Sequence, residues 1–323
     1  MSDVLSLVLS RARLESFITC AFDLGGAWTV EFPSADALRF KFITRGECWL
    51  TVEGDEGRLH RLGAGDCFLV SPGRSFILSK EQAFSKKERA EELATTRRDD
   101  RVIVHGGGGD TVSVGAVFRF HGHFANVVLD SIPPVILIPA HLDQAAILRW
   151  SLDRFAAEHN GAKAGRALMM GYLAPIILLQ TLRIHLGSTT GERSWLAALS
   201  HPKLSKAIEV IHGEHGKHWT LHGLAAVAGM SRASFAAKFR EFMGITPIEY
   251  VNNWRMQIAC DLLRQGDLGI AEVSNSVGYE SESAFSAAFK RSIGIRPGQF
   301  QKSLKSRMGD LMAINTSAET VAV

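Results

Sequence analysis

Two stretches of this 323-residue chain, 50 positions apart, carry the same pattern, and a near-repeat of that length marks a duplicated supersecondary unit. Phe235 falls on Phe285, Phe239 on Phe289, Arg240 on Lys290, Gly244 on Gly294, Ile245 on Ile295, Pro247 on Pro297 and Tyr250 on Phe300. Further upstream the offset becomes 49, with Leu221 on Ile270, Leu224 on Val273, Ala228 on Val277 and Gly229 on Gly278. The one-residue slip falls in the connector after each of these glycines, where a turn absorbs it.

Each copy reads as helix, tight turn, helix. Thr220 suits the N-cap of a short helix whose apolar positions Leu221, Leu224, Ala225 and Ala228 recur at i, i+3, i+4 and i+7. Gly229 ends it, as a residue tolerant of positive φ. Ser231 then caps a second helix that buries Phe235, Phe239 and Phe242 and stops at Gly244. The second copy repeats the plan, with Ile270, Val273 and Val277, then Gly278, then Phe285, Phe289 and Ile293 up to Gly294. Between the copies, Thr246-Pro247-Ile248-Glu249 supplies an N-cap, a proline at N1 and a glutamate at N3. The spacing predicts a long helix to about Gln265, with Trp254, Ile258 and Leu262 on one stripe. Two short helices joined through a glycine-containing turn form a helix-turn-helix, whose second helix enters a DNA major groove. A stiff helix between two such units suits successive major grooves, about 34 Å apart on one face of the duplex.

The segments Met230 to Phe235, Gly244-Ile-Thr-Pro247, Tyr250 to Met256, Ala259 to Leu263, and Val277-Gly278-Tyr279 through Gly294-Ile-Arg-Pro297 resemble the AraC/XylS family of bacterial transcription regulators. The resemblance covers about residues 203–305. It implies sequence-specific binding of double-stranded DNA by two helix-turn-helix units, and activation of transcription through contact with RNA polymerase. The candidate DNA-contacting residues are Arg232, Ala233, Ser234, Ala236, Ala237, Lys238 and Arg240 on the first recognition helix. On the second they are Glu282, Ser283, Ser286, Ala287, Lys290 and Arg291. Arginine pairs with guanine, glutamate accepts from cytosine N4, and alanine methyls meet thymine methyls. Relatives often place arginine where Ala237 stands, so the first helix has less hydrogen-bonding capacity than the family pattern.

Charge is distributed to match. Residues 203–305 hold 13 Lys and Arg against 9 Asp and Glu, a net of +4, whereas residues 1–202 are balanced at 22 of each. A basic excess confined to the DNA-binding region fits phosphate neutralisation. The length and a hydrophobic share of 46% predict two domains with ordinary cores. Cys20, Cys48, Cys67 and Cys260 lie far apart in apolar surroundings without metal-ligand spacing, and read as buried free thiols. The apolar stretches around Ile132–Ala140 and Ala174–Leu179 are shorter than a bilayer span, and a soluble, cytoplasmic protein with no membrane association is expected.

The first half begins with an expected short helix over 3–18. Short β segments follow at Phe22–Leu24, Trp28–Phe32, Leu38–Thr44, Cys48–Val52, Gly57–Leu62, Asp66–Val70 and Phe76–Leu78, and later at Thr111–Phe120. The charged run 80–101 reads as an exposed loop or surface helix. Gly106–Gly109 is not followed by Lys-Ser/Thr, so a phosphate-binding loop is not expected. Phe40 to Ile43 through Gly46 and Trp49, Leu62 to Gly65-Asp66, Ser71-Pro72-Gly73, the glycine run and Pro133-Pro134 together resemble the cupin-like sensor domain of AraC-type regulators. Where enzymatic cupins carry metal-binding histidines, the matching positions are Lys41 and Phe76, neither a normal first ligand. No metal, no other cofactor and no catalytic residue is therefore expected; Lys41, Trp49 and Phe76 are assigned to a pocket for a small-molecule effector. His121 and His123 offer two imidazoles on one strand face and lack a third ligand.

Helices are expected over His141–Glu158 and 165–186, the second bent at Pro175, and in this family such a region commonly dimerises. The expected architecture is mixed α and β: a cupin-like barrel with a helical pair over 1–190, a linker over 187–202, an all-α double helix-turn-helix over 203–305, and a flexible tail over 306–323. The function expected is that of an effector-responsive transcription activator acting as a homodimer. Two alternatives are a metal-dependent cupin-type enzyme with an appended DNA-binding region, and an effector-independent DNA-binding adaptor.

Overall fold

The computed structural model describes residues 14–19, 21–82, 87–93, 101–120, 129, 132–142, 145–161, 163–188 and 195–304. The chain divides into two compact units. One holds residues 13–121 and 128–192, the other residues from 193 onward.

The first unit is built on two β-sheets. Strands β1 (Leu14–Ile18), β2 (Ala21–Leu24), β4 (Leu38–Arg45), β7 (Cys67–Val70), β10 (Val102–His105), β11 (Thr111–Phe120) and β12 (Val135–Ile138) form the larger, ordered β10-β2-β11-β4-β7-β12 with β1 also on β11. Strands β3 (Thr29–Phe32), β5 (Glu47–Val52), β6 (His60–Gly63), β8 (Phe76–Ser79) and β9 (Glu88–Arg89) form the smaller, ordered β6-β5-β8-β3-β9. A short helix α1 (Ala90–Leu93) follows β9. The inward side chains of both sheets make one core, with Phe22, Ile43, Phe68 and Val70 from the larger sheet meeting Val30, Phe32, Leu50 and Phe76 from the smaller.

Two turns explain several glycines. Gly25 N–H donates to His105 O at 2.9 Å, and a Cβ on Gly25 would lie 2.3 Å from Gly108 O. The two glycine turns thus meet backbone to backbone, leaving no room for side chains. Asp23 Oδ1 accepts from Gly109 N–H at 2.7 Å. The glycine loop of 106–109 is occupied by a carboxylate, which repels phosphate.

Helices α2 (Ala146–Asn160) and α3 (Arg166–Ser188) pack on each other, and α3 also packs on β1 and β12. Helix α3 continues through Pro175. By length and composition it is apolar enough to cross a bilayer, a length that the apolar run 174–179 alone does not suggest. Its buried Leu173, Ala174, Ile177, Leu178 and Leu182 make it a core helix of this domain.

The expected helix over 3–18 is corrected at its end, because residues 14–18 are strand β1, paired antiparallel with β11. Residues 3–13 lie outside the described residues, as do Cys20, His121, His123 and the tail from 306. Within the charged run of 80–101, Glu88–Arg89 pairs with β3, and Leu93 is buried, so part of that run is structural rather than exposed. Cys48, Cys67 and Cys260 are buried free thiols. Burial pushes Cys48 and Cys260 up to about 12, and Cys67 also upward, so none is a thiolate near neutral pH.

The second unit is helical: α4 (Trp195–Ser200), α5 (Leu204–Gly213), α6 (Leu221–Val227), α7 (Arg232–Met243), α8 (Pro247–Gln265), α9 (Ile270–Ser276) and α10 (Glu282–Ile293), with residues 297–304 also helical. Helix α4 lies inside the stretch expected as linker. It packs on α5 and α7, with Ala198 fully buried, so the second unit begins earlier than 203.

Candidate nucleic-acid interface

The duplication read from the sequence is reproduced at the turns and in the second helices of both copies. Gly229 and Gly278 both adopt positive φ, at 61° and 79°. After each, the same pair of hydrogen bonds closes the turn. Gly229 N–H donates to Ala226 O and Met230 N–H to Ala225 O; Gly278 N–H donates to Asn275 O and Tyr279 N–H to Ser274 O. The extra residue of the second copy is the exposed Glu280, which accounts for the slip from 49 to 50.

Both second helices start on a serine. Ser231 Oγ accepts from Ser234 N–H at 3.2 Å, and Ser281 Oγ from Ala284 N–H at 3.3 Å. Both end on a left-handed glycine, Gly244 at φ 72° and Gly294 at φ 88°. The aromatic pairs superpose in kind: Phe235–Phe239 centroids are 5.5 Å apart at 57°, and Phe285–Phe289 are 5.6 Å apart at 57°. Phe239 then meets Tyr250 edge-on at 5.5 Å, as Phe289 meets Phe300 at 5.6 Å. All four phenylalanines of the paired helices are fully buried. Burial is less complete at three expected positions: Phe242, Ile293 and Leu262 are half-buried, while their neighbours Met243 and Leu263 go inward.

Helix α8 carries the predicted capping box. Thr246 Oγ1 accepts from Glu249 N–H at 3.3 Å, and Glu249 Oε2 accepts from Thr246 N–H at 2.8 Å. Those two bonds hold the Glu249 carboxyl below its usual range. The helix is 19 residues long, roughly 28 Å at 1.5 Å per residue. Its Trp254 stacks on the buried His212 at 3.9 Å, and His212 Nε2 lies 2.8 Å from Tyr250 Oη. Arg255 is buried on the same helix. Its Nε–H donates to His215 O and its Nη2 to Lys217 O, both at 2.8 Å, and its guanidinium lies 5.8 Å from the Tyr279 ring of the second turn. Burial pushes that guanidinium's pKa down.

The faces left open are those expected to read DNA. Arg232, Ala233, Ser234, Ala237 and Arg240 are exposed on α7, with Ala236 and Lys238 half-buried on its flanks. On α10, Glu282, Ser283, Ala287, Lys290 and Arg291 are exposed and Ser286 is half-buried. All six of these α10 residues, together with Arg296, line one surface concavity. Sequence reasoning passed over Arg296; its place two residues beyond Gly294 was the signal available. Lys290 and Arg291 sit in the last turn of α10, where positive charge also complements the helix dipole.

A second candidate site lies inside the β domain. A cavity of about 450 Å³ is lined by Phe22, Phe32, Phe40, Phe76 and Ile103, among other apolar side chains, and by Arg39 and Lys41. Such a volume falls within the roughly 300–1,000 Å³ of small-molecule sites. Lys41 is only 4% exposed, its Nζ 4.3 Å from the Phe22 centroid and 4.8 Å from that of Phe32. Arg39, two residues earlier on the same face of β4, is 8% exposed. It donates from Nη1 to Pro33 O at 2.5 Å and from Nη2 to Arg74 O, with its guanidinium over Phe76 at 4.6 Å. Burial pushes Arg39 down to about 10, which leaves it charged at neutral pH.

Lys41 and Phe76 are thus brought together; Trp49 is not. Along β5 the inward positions are Cys48, Leu50 and Val52, so strand alternation turns Trp49 to the opposite face, away from the cavity lining. Among the described residues no group of three or more His, Cys, Asp and Glu side chains converges as a metal site would require.

Known proteins extend the same division of the chain. Residues 3–187 match a family model described as Cupin, and residues 224–303 one described as Helix-turn-helix domain. A putative AraC-like transcription regulator of Streptomyces antibioticus is 34% identical over 303 residues, covering 94% of this chain and 98% of the relative. One of Streptomyces lividans is 33% identical, covering 94% and 97%. The HTH-type transcriptional regulator AlkR of Acinetobacter baylyi is 28% identical, covering 93% and 99%. Among solved structures, the DNA-binding domain of AdpA in complex with a target DNA is 26% identical, covering 33% of this chain and 95% of that one, with a TM-score of 0.32. ToxT from Vibrio cholerae is 12% identical, covering 90% and 98%, with a TM-score of 0.35. With both domain models matched in order and relatives of a third identity along almost its whole length, the chain belongs to the AraC-type DNA-binding transcription regulators, with a cupin-like domain ahead of its helix-turn-helix units.

Proposed function

We propose that this regulator reads two successive major-groove segments of one duplex with α7 and α10, and that it activates transcription in the cytoplasm in response to a small molecule held in the β domain. The observation that carries the DNA reading is the pair of identically capped, identically packed helices whose outer faces are free. On α7, Arg232 and Arg240 supply the base or phosphate contacts, with Lys238 on the flank; on α10, Lys290, Arg291 and Arg296 anchor phosphates while Glu282, Ser283 and Ser286 face the base edges. A good arginine–guanine pair contributes roughly 1–3 kcal/mol of discrimination.

Activation through contact with RNA polymerase rests on family membership, and so does the absence of a chemical reaction of the protein's own. The effector reading rests on the apolar cavity with its two buried cations. A homodimer is supported by the exposed apolar side chains of the helical pair, Ile147 and Trp150 on α2 with Leu168 and Tyr172 on α3, each more than 60% exposed. A patch of that kind on a folded domain marks an interaction surface.

Footprinting on the cognate promoter tests the DNA reading. Arg232→Ala and Arg240→Ala, both at exposed positions, should each weaken protection roughly fivefold or more without lowering the melting temperature. Undiminished protection by both variants removes α7 from the interface.

A further inference from the structure

We propose that His201 is a positioning residue for the first recognition helix: its neutral imidazole ties the start of α5 to α7, and protonation releases the tie, so that DNA reading by α7 weakens in acid. The inference rests on the reading of α7 as a DNA-contacting helix and names a control on it. Three features of the segment 201–204 support it.

The first is the chemistry of the cap. Among the described residues of this unit, four helices begin with a hydroxyl that accepts a backbone N–H three residues on, at Thr220, Ser231, Thr246 and Ser281. Thr246 is followed by Pro247 and His201 by Pro202, so the imidazole stands where a hydroxyl stands elsewhere. Its Nδ1 accepts from Lys203 N–H at 3.2 Å and from Leu204 N–H at 3.3 Å, as α5 begins. An imidazole nitrogen accepts only while it carries no proton. Protonation at Nδ1 turns the acceptor into a donor facing two donors, a change no hydroxyl undergoes near neutral pH.

The second is contact with both ends of the reading helix. The His201 ring meets Phe242 edge-on in the last turn of α7, centroids 5.5 Å apart at 74°. Lys203 Nζ donates to Gly229 O at 3.5 Å, in the turn that leads into α7. Helix α4, which ends at Ser200, also packs on α7. The segment thus braces α7 at its entry and at its end, and the two backbone bonds to Nδ1 hold the brace in shape.

The third is charge. Helix α4 carries no titratable side chain over Trp195–Ser200, the entry to α5 brings Lys203, and α7 brings Lys238 and the exposed Glu241. Partial burial first, then the ammoniums of Lys238 and Lys203, push the imidazole below its ordinary value. A histidine depressed in the folded chain contributes stability above its unfolded value of about 6.5, and that contribution is lost as pH falls through the folded value. A proton there also places a third cation beside the two lysines.

Fluorescence anisotropy of the full-length protein on its labelled cognate promoter, at pH 7.5 and 5.5 and one ionic strength, compares wild type with His201→Asn. Asparagine keeps a side-chain acceptor for the cap and does not titrate. The two proteins should bind within about twofold of each other at pH 7.5, and at pH 5.5 His201→Asn should bind at least roughly threefold tighter than wild type. The other histidines titrate alike in both proteins, so the comparison removes their effect. His201→Ala, which lacks the cap at any pH, should bind severalfold more weakly than wild type at pH 7.5. An NMR titration of the wild-type His201 ring should give a value below the ordinary imidazole one, and it carries the test if a melting profile shows His201→Asn unfolded. Equal loss of affinity between the two pH values in wild type and His201→Asn overturns the proposal, as does unchanged affinity in His201→Ala or a ring that titrates at or above its ordinary value. Footprinting of Arg232→Ala and Arg240→Ala separates this from a failure of the DNA reading. Undiminished protection by both removes α7 from the interface; weakened protection, with equal pH dependence in wild type and His201→Asn, leaves α7 in place and removes the His201 tie.

Discussion

Replacing Arg255 by methionine isolates what holds the two DNA-reading units in register. Methionine keeps most of the apolar stem and removes the fork that reaches His215 O and Lys217 O at 2.8 Å each. Hydrogen bonds to a charged group contribute about 1.5–3 kcal/mol apiece. Two such bonds set an upper range of about 3–6 kcal/mol. Two offsets reduce it: the guanidinium no longer has to be desolvated, and Lys217 is exposed, so its carbonyl can regain water. The net expected loss is about 2–4 kcal/mol. For a domain of this size each kcal/mol moves the melting point by about 4–8 °C, so the helical unit should melt at least 8 °C lower.

The same residue links the loop ahead of the first copy to the second copy, since it pins that loop at His215 and Lys217 and its guanidinium faces Tyr279. Specific promoter binding should therefore fall further than salt-driven nonspecific binding. Arg255→Lys should recover only part of the loss, because an ammonium cannot reproduce the planar fork. Differential scanning calorimetry of the full-length protein, with footprinting in parallel, gives both readouts. A melting point within 3 °C of the wild type for Arg255→Met would show that the fork is incidental and that the strut alone sets the register.

Two further outcomes are expected. Glu249 has its carboxyl pKa lowered by the capping-box bonds to Thr246, so this contribution is present above the unfolded carboxyl pKa and is lost as pH falls through the folded one; α8 should loosen at its N-terminus in acid, and Glu249→Gln should lose that part of the pH dependence in circular dichroism titrations. Trp150→Glu should convert a two-chain particle to one of 35.3 kDa in light scattering, and a wild-type particle already of that mass removes the dimer assignment.

The helical unit was legible because its information is local. Caps, left-handed glycines and a 3.6-residue apolar stripe recur within a dozen residues, so Thr220, Ser231, Gly244 and the Thr246–Glu249 box all took their expected places. The barrel was legible where strands alternate or are bounded by turns. It failed where the local pattern pointed elsewhere. Residues 14–18 continue an apolar spacing of helical period, and only pairing with β11 makes them a strand. Val135–Ile138 is an unbroken apolar run, for which periodicity does not separate strand from helix.

In the cavity the error was different. Trp49 was assigned by resemblance, although the phase of Cys48, Leu50 and Val52 already turned it away. Arg39 and Arg255 were missed because a buried arginine is defined by carbonyls distant in sequence, at Arg74 for one and His215 for the other.

Helix α8 also has a consequence for how such a protein can evolve. One residue inserted into a straight α-helix rotates everything beyond it by about 100° and advances it by about 1.5 Å. A single-codon insertion in α8 would thus turn one reading head away from the duplex rather than merely lengthen the span. Seven codons would nearly restore the phase while adding about 10.5 Å, approximately three base pairs' rise. Insertions of about 7 or 11 residues, two or three helical turns, leave the far face within about 20° of its present orientation, so the length of α8 can change only in near-whole turns if the two recognition faces are to keep their common side.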